Sequence, residues 1–122
     1  MVKKVFFRYW FPVIVCALAI FILSLSAIPQ EIGLEICPDK IFHFSAYAAL
    51  AFLFFRAFYN TGARPAAGGP AVRAFGAVFA YGALMEICQL LLPYRSLEIL
   101  DIFFNTAGAL SGVLFFNFRK RK

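Results

Sequence analysis

Four apolar segments, each long enough to cross a lipid bilayer as a helix, dominate the sequence. A transmembrane helix needs about 20 apolar residues, and the segments cover residues 9–28, 41–59, 74–92 and 99–118. Because lipid offers no hydrogen-bond partner to exposed backbone groups, each segment is expected to be helical. The sequence therefore predicts an all-α polytopic membrane protein, in which four transmembrane helices form a bundle within a single domain over residues 1–122.

The composition supports the membrane class. Hydrophobic residues make up 63% of the 122 positions, and charged residues only 15%. A soluble domain of this size could not cover so much apolar surface with so few charges. The three cysteines, Cys16, Cys37 and Cys88, have no metal-site spacing, and neither a metal nor another cofactor is predicted.

Most basic residues lie on one side of this four-span topology. Because Lys and Arg favour the cytoplasmic side, they predict a multi-pass protein of the cell membrane with both termini in the cytoplasm. Lys40 and Arg95 share the other side with all six acidic residues. This asymmetry explains the net charge of +6, so no nucleic-acid partner is expected. The cytoplasmic set is Lys3, Lys4, Arg8, Arg56, Arg64, Arg73, Arg119, Lys120, Arg121 and Lys122.

The first segment has an alternative interpretation. Lys3, Lys4 and Arg8 followed by an apolar run are also typical of a secretory signal peptide, with small residues at 24–27 as a cleavage site. The run of about 20 residues exceeds the usual 7–15 of such a peptide, which favours a permanent span. Cleavage would leave the orientation of the other three spans unchanged.

Polar residues open the second segment, which begins DKIFHFSAYAAL. Asp39, His43 and Tyr47 follow one another at intervals of four, so they share one helix face. Asp39 and Lys40 are also typical of a helix start at the membrane interface. His43 is compatible with simple packing and hydrogen bonding, and Tyr47 with anchoring through a single hydrogen bond.

Two later segments contribute polar residues at the same depth. Glu86 and Gln89 share one helix face, and Asp101 and Asn105 share another. Asn105 lies about 6 Å along its helix from Asp101, and Glu86 lies about 9 Å from the outer end of its segment. Three helices, including the one that carries His43, are therefore expected to bring polar groups to one level beneath the non-cytoplasmic surface.

Ionisable groups inside a membrane are costly unless they are paired, hydrated or functional. No turn of its own helix supplies Glu86 with a base, so a partner from another helix is expected, and Lys40, His43 and Arg95 are the candidates. Arg95 and Asp101 could alternatively form a plain interfacial ion pair, which stabilises little when it is hydrated.

A GxxxG pattern, Gly108 to Gly112, lies in the fourth segment. Such a pattern permits close helix approach, either within the bundle or between two chains. Packing within the bundle is favoured, and a homo-oligomer formed through Gly108 and Gly112 is the alternative.

Together these motifs resemble those of the VanZ-like family of small membrane proteins. That family pairs D-K-x-x-H-F-x-x-Y with E-x-x-Q, P-x-R and D-x-x-x-N-x-x-G, and this chain has DKIFHFSAY and EICQLLLPYRSLEILDIFFNTAGALSG within residues 39–112. The resemblance implies a polytopic membrane protein and assigns no chemistry; the namesake of the family is associated with low-level resistance to the glycopeptide teicoplanin. The motif residues carried over are Asp39, Lys40, His43, Tyr47, Glu86, Gln89, Arg95, Asp101, Asn105 and Gly108.

The polar residues favour a binding or modulating protein. Its ligand would be a membrane lipid or a cell-envelope precursor, either lipid-linked or related to peptidoglycan. Lys40 and Arg95 would contact an anionic group, and Gln89 and Asn105 would add hydrogen bonds.

Two alternatives stay open, so the sequence does not decide whether the protein is an enzyme. In the first, His43 and Glu86 form an acid–base pair that acts on an envelope lipid, with Asp39 or Asp101 orienting His43. No G-x-S-x-G nucleophile motif is present, and the His and carboxylate residues have no recognised metal spacing. In the second alternative, the polar residues only hold the helices together and function resides in a partner protein.

Overall fold

A computed structural model of the chain contains four long helices and describes residues 2–25, 37–61, 69–93 and 99–120. Of residues 2, 25, 37–40 and 120 it describes the backbone only. The helices are α1 (Val2–Leu25), α2 (Cys37–Asn60), α3 (Gly69–Leu90) and α4 (Ile99–Lys120).

All four helices are long and apolar enough to cross a membrane. No strand occurs in the part of the chain that the structure describes. The predicted all-α fold with four membrane-spanning helices is therefore confirmed. The placement of both termini in the cytoplasm stays a prediction.

Three helices begin earlier than the apolar segments indicate, and one of them is α2, which begins at Cys37 rather than at residue 41. α1 begins at Val2 rather than at residue 9, and α3 begins at Gly69 rather than at residue 74. A helix satisfies its own backbone groups, so it can continue beyond the hydrocarbon into the head-group region. Gly69 has a φ of 65°, a left-handed conformation that favours glycine, where α3 begins.

The closest helix pair is α2 and α4, which run parallel to each other. Gly108 lies against the backbone of Phe44, and Gly112 lies against the backbone of Ala48 one turn further along both helices. A Cβ atom at either glycine would collide with the facing carbonyl oxygen. The GxxxG pattern thus serves packing within one chain, and a homo-oligomer through these glycines stays a prediction.

An aromatic core extends from this pair towards the end of α2. The Phe55 and Phe116 ring centroids are 4.6 Å apart, and Phe52 meets Phe116 edge-on at 5.2 Å. α1 lies on the outside of α2, where Trp10 packs edge-on against Phe54 and Phe58. Large apolar side chains cover the outer surface of the bundle, as expected of a surface that faces lipid.

Candidate functional site

Polar side chains are buried at one end of the bundle, where α1 and α3 finish and α2 and α4 begin; we call it the polar end. Each of six polar or charged residues there has 6% or less of its surface exposed. Every one of the four helices contributes at least one of them. The six are Ser24, His43, Glu86, Gln89, Asp101 and Asn105; together with Tyr47, which is 1% exposed, they form what we call the polar cluster.

His43 connects α2 to two residues of α4. Its Nδ1 lies 2.7 Å from Asn105 Oδ1, and its Nε2 lies 3.7 Å from Asp101 Oδ1. Because an amide oxygen only accepts, Nδ1–H is the donor and that ring nitrogen carries a proton. The second distance is too long for a hydrogen bond, so Asp101 Oδ1 and the ring nitrogen are neighbours without a direct bond between these two atoms. Both α4 residues reach His43 because they lie one helical turn apart.

Next to this pair, the side chains of Tyr47 and Asn105 face the backbone of Gly82 across a space that a single methyl group would fill tightly. A Cβ atom added at Gly82 would stand 3.2 Å from Tyr47 Cε2 and 3.4 Å from Asn105 Nδ2. The Tyr47 hydroxyl and Asn105 Nδ2 are both buried, and neither has a hydrogen-bond partner among the described residues. The Tyr47 hydroxyl and Asn105 Nδ2 are therefore two available hydrogen-bond donors. They lie beside Gly82, and glycine is the only residue type without a Cβ atom to fill this space.

Hydrogen bonds to main-chain carbonyl groups hold α1 against α3. Gln89 Nε2 donates to the carbonyl oxygen of Ser24 at 2.8 Å, and the Tyr81 hydroxyl donates to the carbonyl oxygen of Ala17. The sequence analysis missed Ser24 and Tyr81. A main-chain acceptor is present at every position and leaves no sequence pattern, so only the burial of Tyr81 in an apolar segment could have indicated its bond.

Glu86 lies one turn beyond Gly82 on the same face of α3. Its side chain is 2% exposed, so its carboxyl group is inside the bundle rather than at the lipid surface. A buried carboxyl group needs pairing, hydration or protonation. The binding or catalytic role of Glu86 stays a prediction.

Other predicted site residues lie where the structure gives no side chains. α2 includes the backbone of Asp39 and Lys40, whereas Arg95 lies outside the described residues. The expected contacts of Lys40 or Arg95 with Glu86, and of Arg95 with Asp101, therefore stay predictions. Among the side chains that the structure does describe, no three His, Cys, Asp or Glu residues could hold a metal ion together.

Four membrane-spanning helices with a buried polar cluster at one end define a small polytopic membrane protein. The family model VanZ/LLP1 matches residues 5–120, and the chain belongs to that family. This confirms the resemblance drawn from residues 39–112 and extends it over α1 and the end of α4. Neither the curated proteins nor the solved structures gave a match to the chain.

Proposed function

We propose that this protein binds a membrane lipid or a lipid-linked precursor of the cell envelope through the polar cluster, and thereby modulates the envelope. One observation carries the proposal. Tyr47 Oη and Asn105 Nδ2 are buried beside Gly82 without a hydrogen-bond partner among the described residues. A buried donor that lacks an acceptor is costly, and a bound ligand that supplies the acceptor would remove that cost.

The two donors define the chemistry of the ligand. A hydroxyl and an amide N–H both favour an oxygen acceptor, such as a phosphate, carbonyl or sugar oxygen. Lys40 and Arg95 flank the polar end in the sequence and would add positive charge for a phosphate. A polyprenyl phosphate, alone or carrying a sugar, has both this oxygen chemistry and a chain that suits the surrounding lipid.

Binding is favoured over acid–base catalysis by the surroundings of His43. One ring nitrogen donates to Asn105 and the other faces Asp101, so both point at groups of the protein rather than towards an open space. A general base needs a ring nitrogen directed at the proton that it removes, and here Nδ1 is directed at Asn105 while Nε2 faces Asp101. His43 in this arrangement positions Asn105, and Asn105 in turn presents its amide nitrogen to the space beside Gly82.

Removing one oxygen atom tests the proposal. Purified protein in detergent is mixed with a polyprenyl phosphate, and retained lipid is measured by native mass spectrometry. Tyr47→Phe deletes the buried hydroxyl and should lower retention about fivefold, the equivalent of one hydrogen bond. The control is Tyr59→Phe, which deletes the same atom from an exposed tyrosine at the other end of α2. Equal retention by folded wild type and Tyr47→Phe protein would contradict the proposal.

Thermal stability separates binding from a purely structural role. Because the Tyr47 hydroxyl has no hydrogen-bond partner among the described residues, ligand-free Tyr47→Phe protein should melt no lower than wild type. A structural polar network predicts a lower melting temperature and unchanged lipid retention. Asn105→Asp adds a second variant, because it keeps an acceptor for His43 and replaces the amide donor with a carboxyl oxygen.

A cellular test follows from the family. If the ligand is an envelope precursor, expression in a susceptible bacterium should change the dose of teicoplanin that stops growth, and Tyr47→Phe should abolish that change. If wild type and Tyr47→Phe protein change the teicoplanin dose equally, the change does not depend on ligand binding beside Gly82.

A further inference from the structure

A second group of polar side chains lies at the opposite end of the bundle, where α1 and α3 begin and α2 and α4 finish; we call it the basic end. The Tyr9 ring of α1 has two guanidinium groups beside it. The central carbon of Arg56, from α2, is 4.6 Å from the ring centroid, and that of Arg8 is 5.8 Å from it. The two positive charges are therefore no more than about 10 Å apart around one aromatic ring.

None of the described segments at the basic end contains a carboxylate side chain that could pair with these arginines. Asp and Glu are absent from residues 1–30, 40–85 and 102–122, which include every described segment at the basic end. Two guanidinium groups held close together repel each other, and the low dielectric of a membrane strengthens that repulsion. An anion from outside the protein would offset it.

The depth of the site indicates where this anion comes from. Tyr9 lies about 9 Å along α1 from Lys3, and Arg56 lies about 6 Å along α2 from Asn60. Positions this near the helix ends are expected in the head-group layer, where aromatic and basic side chains concentrate. Trp10, the next residue, has a buried indole Nε1 without a hydrogen-bond partner among the described residues, which adds a donor at the same level.

We propose that Arg8 and Arg56, placed around Tyr9, bind the phosphate of an anionic phospholipid in the leaflet at the basic end. Arginine presents a planar fork of N–H donors that matches phosphate oxygens, and the central carbons of both guanidinium groups lie within 5.8 Å of the centroid of the Tyr9 ring. The outer surface beside the site is apolar: Phe6 is 56% exposed, Phe11 is 49% exposed, and the Phe6 ring stacks on Trp10. The acyl chains of the same lipid would pack against these side chains.

The test compares an anionic lipid with a zwitterionic lipid that differs from it only in the head group. Full-length protein in detergent is mixed with phosphatidylglycerol or with phosphatidylcholine of the same acyl chains, and bound lipid is counted by native mass spectrometry. Wild type should retain the anionic lipid preferentially. Because a basic residue at a membrane surface contributes about 1 kcal/mol to anionic-lipid binding, Arg8→Gln and Arg56→Gln should each reduce that preference about fivefold. Arg8 is exposed, so its variant should fold even if the Arg56 variant does not.

A matched control distinguishes a site from general positive charge. Arg119 is an exposed arginine at the end of α4, on the same end of the bundle. Arg119→Gln removes the same charge and should leave the preference within about twofold of wild type if binding is local to Tyr9. An equal loss in Arg119→Gln and Arg8→Gln protein would overturn the proposal.

Competition identifies the source of the phosphate. Glycerophosphoglycerol in solution carries the same phosphodiester group without acyl chains, and it should not displace bound phosphatidylglycerol at equal concentration. Efficient displacement would show that the site takes a soluble anion, and would overturn a lipid site. This proposal is independent of the polar cluster, so Tyr47→Phe should leave the preference for phosphatidylglycerol unchanged.

Discussion

Gly108 of α4 lies directly against the backbone of Phe44 in α2. A Cβ atom added at this glycine would stand 3.1 Å from Phe44 Cα and would overlap the carbonyl oxygen. Main-chain atoms cannot move aside as the tip of a flexible side chain can, so the absence of a side chain sets the distance between the two helices.

Gly108→Ala should therefore destabilise the protein. Overpacking a tight contact typically costs about 1–3 kcal/mol, and thermal or denaturant unfolding in detergent would measure it. Gly76→Ala is the matched control, because a Cβ atom there meets nothing within 4 Å. It should leave stability unchanged or raise it by up to about 1 kcal/mol, since Ala favours helix more than Gly does. Equal stability losses in the two variants would contradict the proposed role of Gly108.

The hydrogen bond between His43 and Asn105 should appear as an energetic coupling. Hydrogen bonds between transmembrane helices average about 0.6 kcal/mol in double-mutant cycles, with a maximum near 1.7 kcal/mol. A cycle built from His43→Leu and Asn105→Leu should give a value in this range. A second cycle that pairs Asn105→Leu with Gln89→Leu should be additive, because Gln89 donates to Ser24 of α1. Additivity in the first cycle would show that the bond adds nothing to folding.

Gly82→Ala should reduce ligand retention more than it reduces stability. The added methyl group would occupy the space beside Tyr47 and Asn105, where the nearest atoms are 3.2 and 3.4 Å away. That contact is tight, but the higher helix propensity of Ala offsets it, so stability should change by less than about 1 kcal/mol. Native mass spectrometry with a polyprenyl phosphate and a melting curve together check this prediction. If Gly82→Ala protein retained the polyprenyl phosphate fully, the ligand would bind at another place.

The two hydrogen bonds from α3 should hold α1 in place. Gln89→Leu and Tyr81→Phe each remove one donor to a main-chain oxygen of α1, and each should cost about 0.5–1.5 kcal/mol. Either change should also let α1 separate from α3 more often. Thiol labelling of Cys16, a partly buried residue of α1, would report that separation as faster labelling.

The labelling experiment uses a chain in which Cys37 and Cys88 are replaced by Ser, so that one thiol remains. Tyr59→Phe in the same background is the control, because Tyr59 lies at the end of α2, away from the contact between α1 and α3. Unchanged labelling in both α3 variants would show that these bonds do not restrain α1.

The number of helices and their shared faces could be predicted from the sequence. Segments of about 20 apolar residues specify spans, and an interval of four specifies that Asp101 and Asn105 share a face. Because both residues share that face, a single side chain on another helix can reach them, and His43 does so.

Relative rotation of the helices could not be predicted in this way. A helical interval gives the direction of a side chain around its own axis, whereas the partner depends on how the neighbouring helix is turned. The bond from Gln89 to the carbonyl of Ser24 depends on that rotation, because the acceptor belongs to the main chain and has no residue signature. The pairing of α2 with α4 was indicated only indirectly by Gly108 and Gly112, whose spacing shows that some helix approaches closely.

Asn105 has a single planar amide that faces two ways. Its oxygen accepts from His43, and its nitrogen points towards the gap beside Gly82. Because Oδ1 and Nδ2 lie in one plane and rotate together, a ligand bound to Nδ2 would also fix the orientation of the His43 imidazole that is bound to Oδ1. Asn105 would thus couple ligand binding beside Gly82 to the orientation of the His43 ring. Ligand binding should therefore shift the NMR signals of that ring.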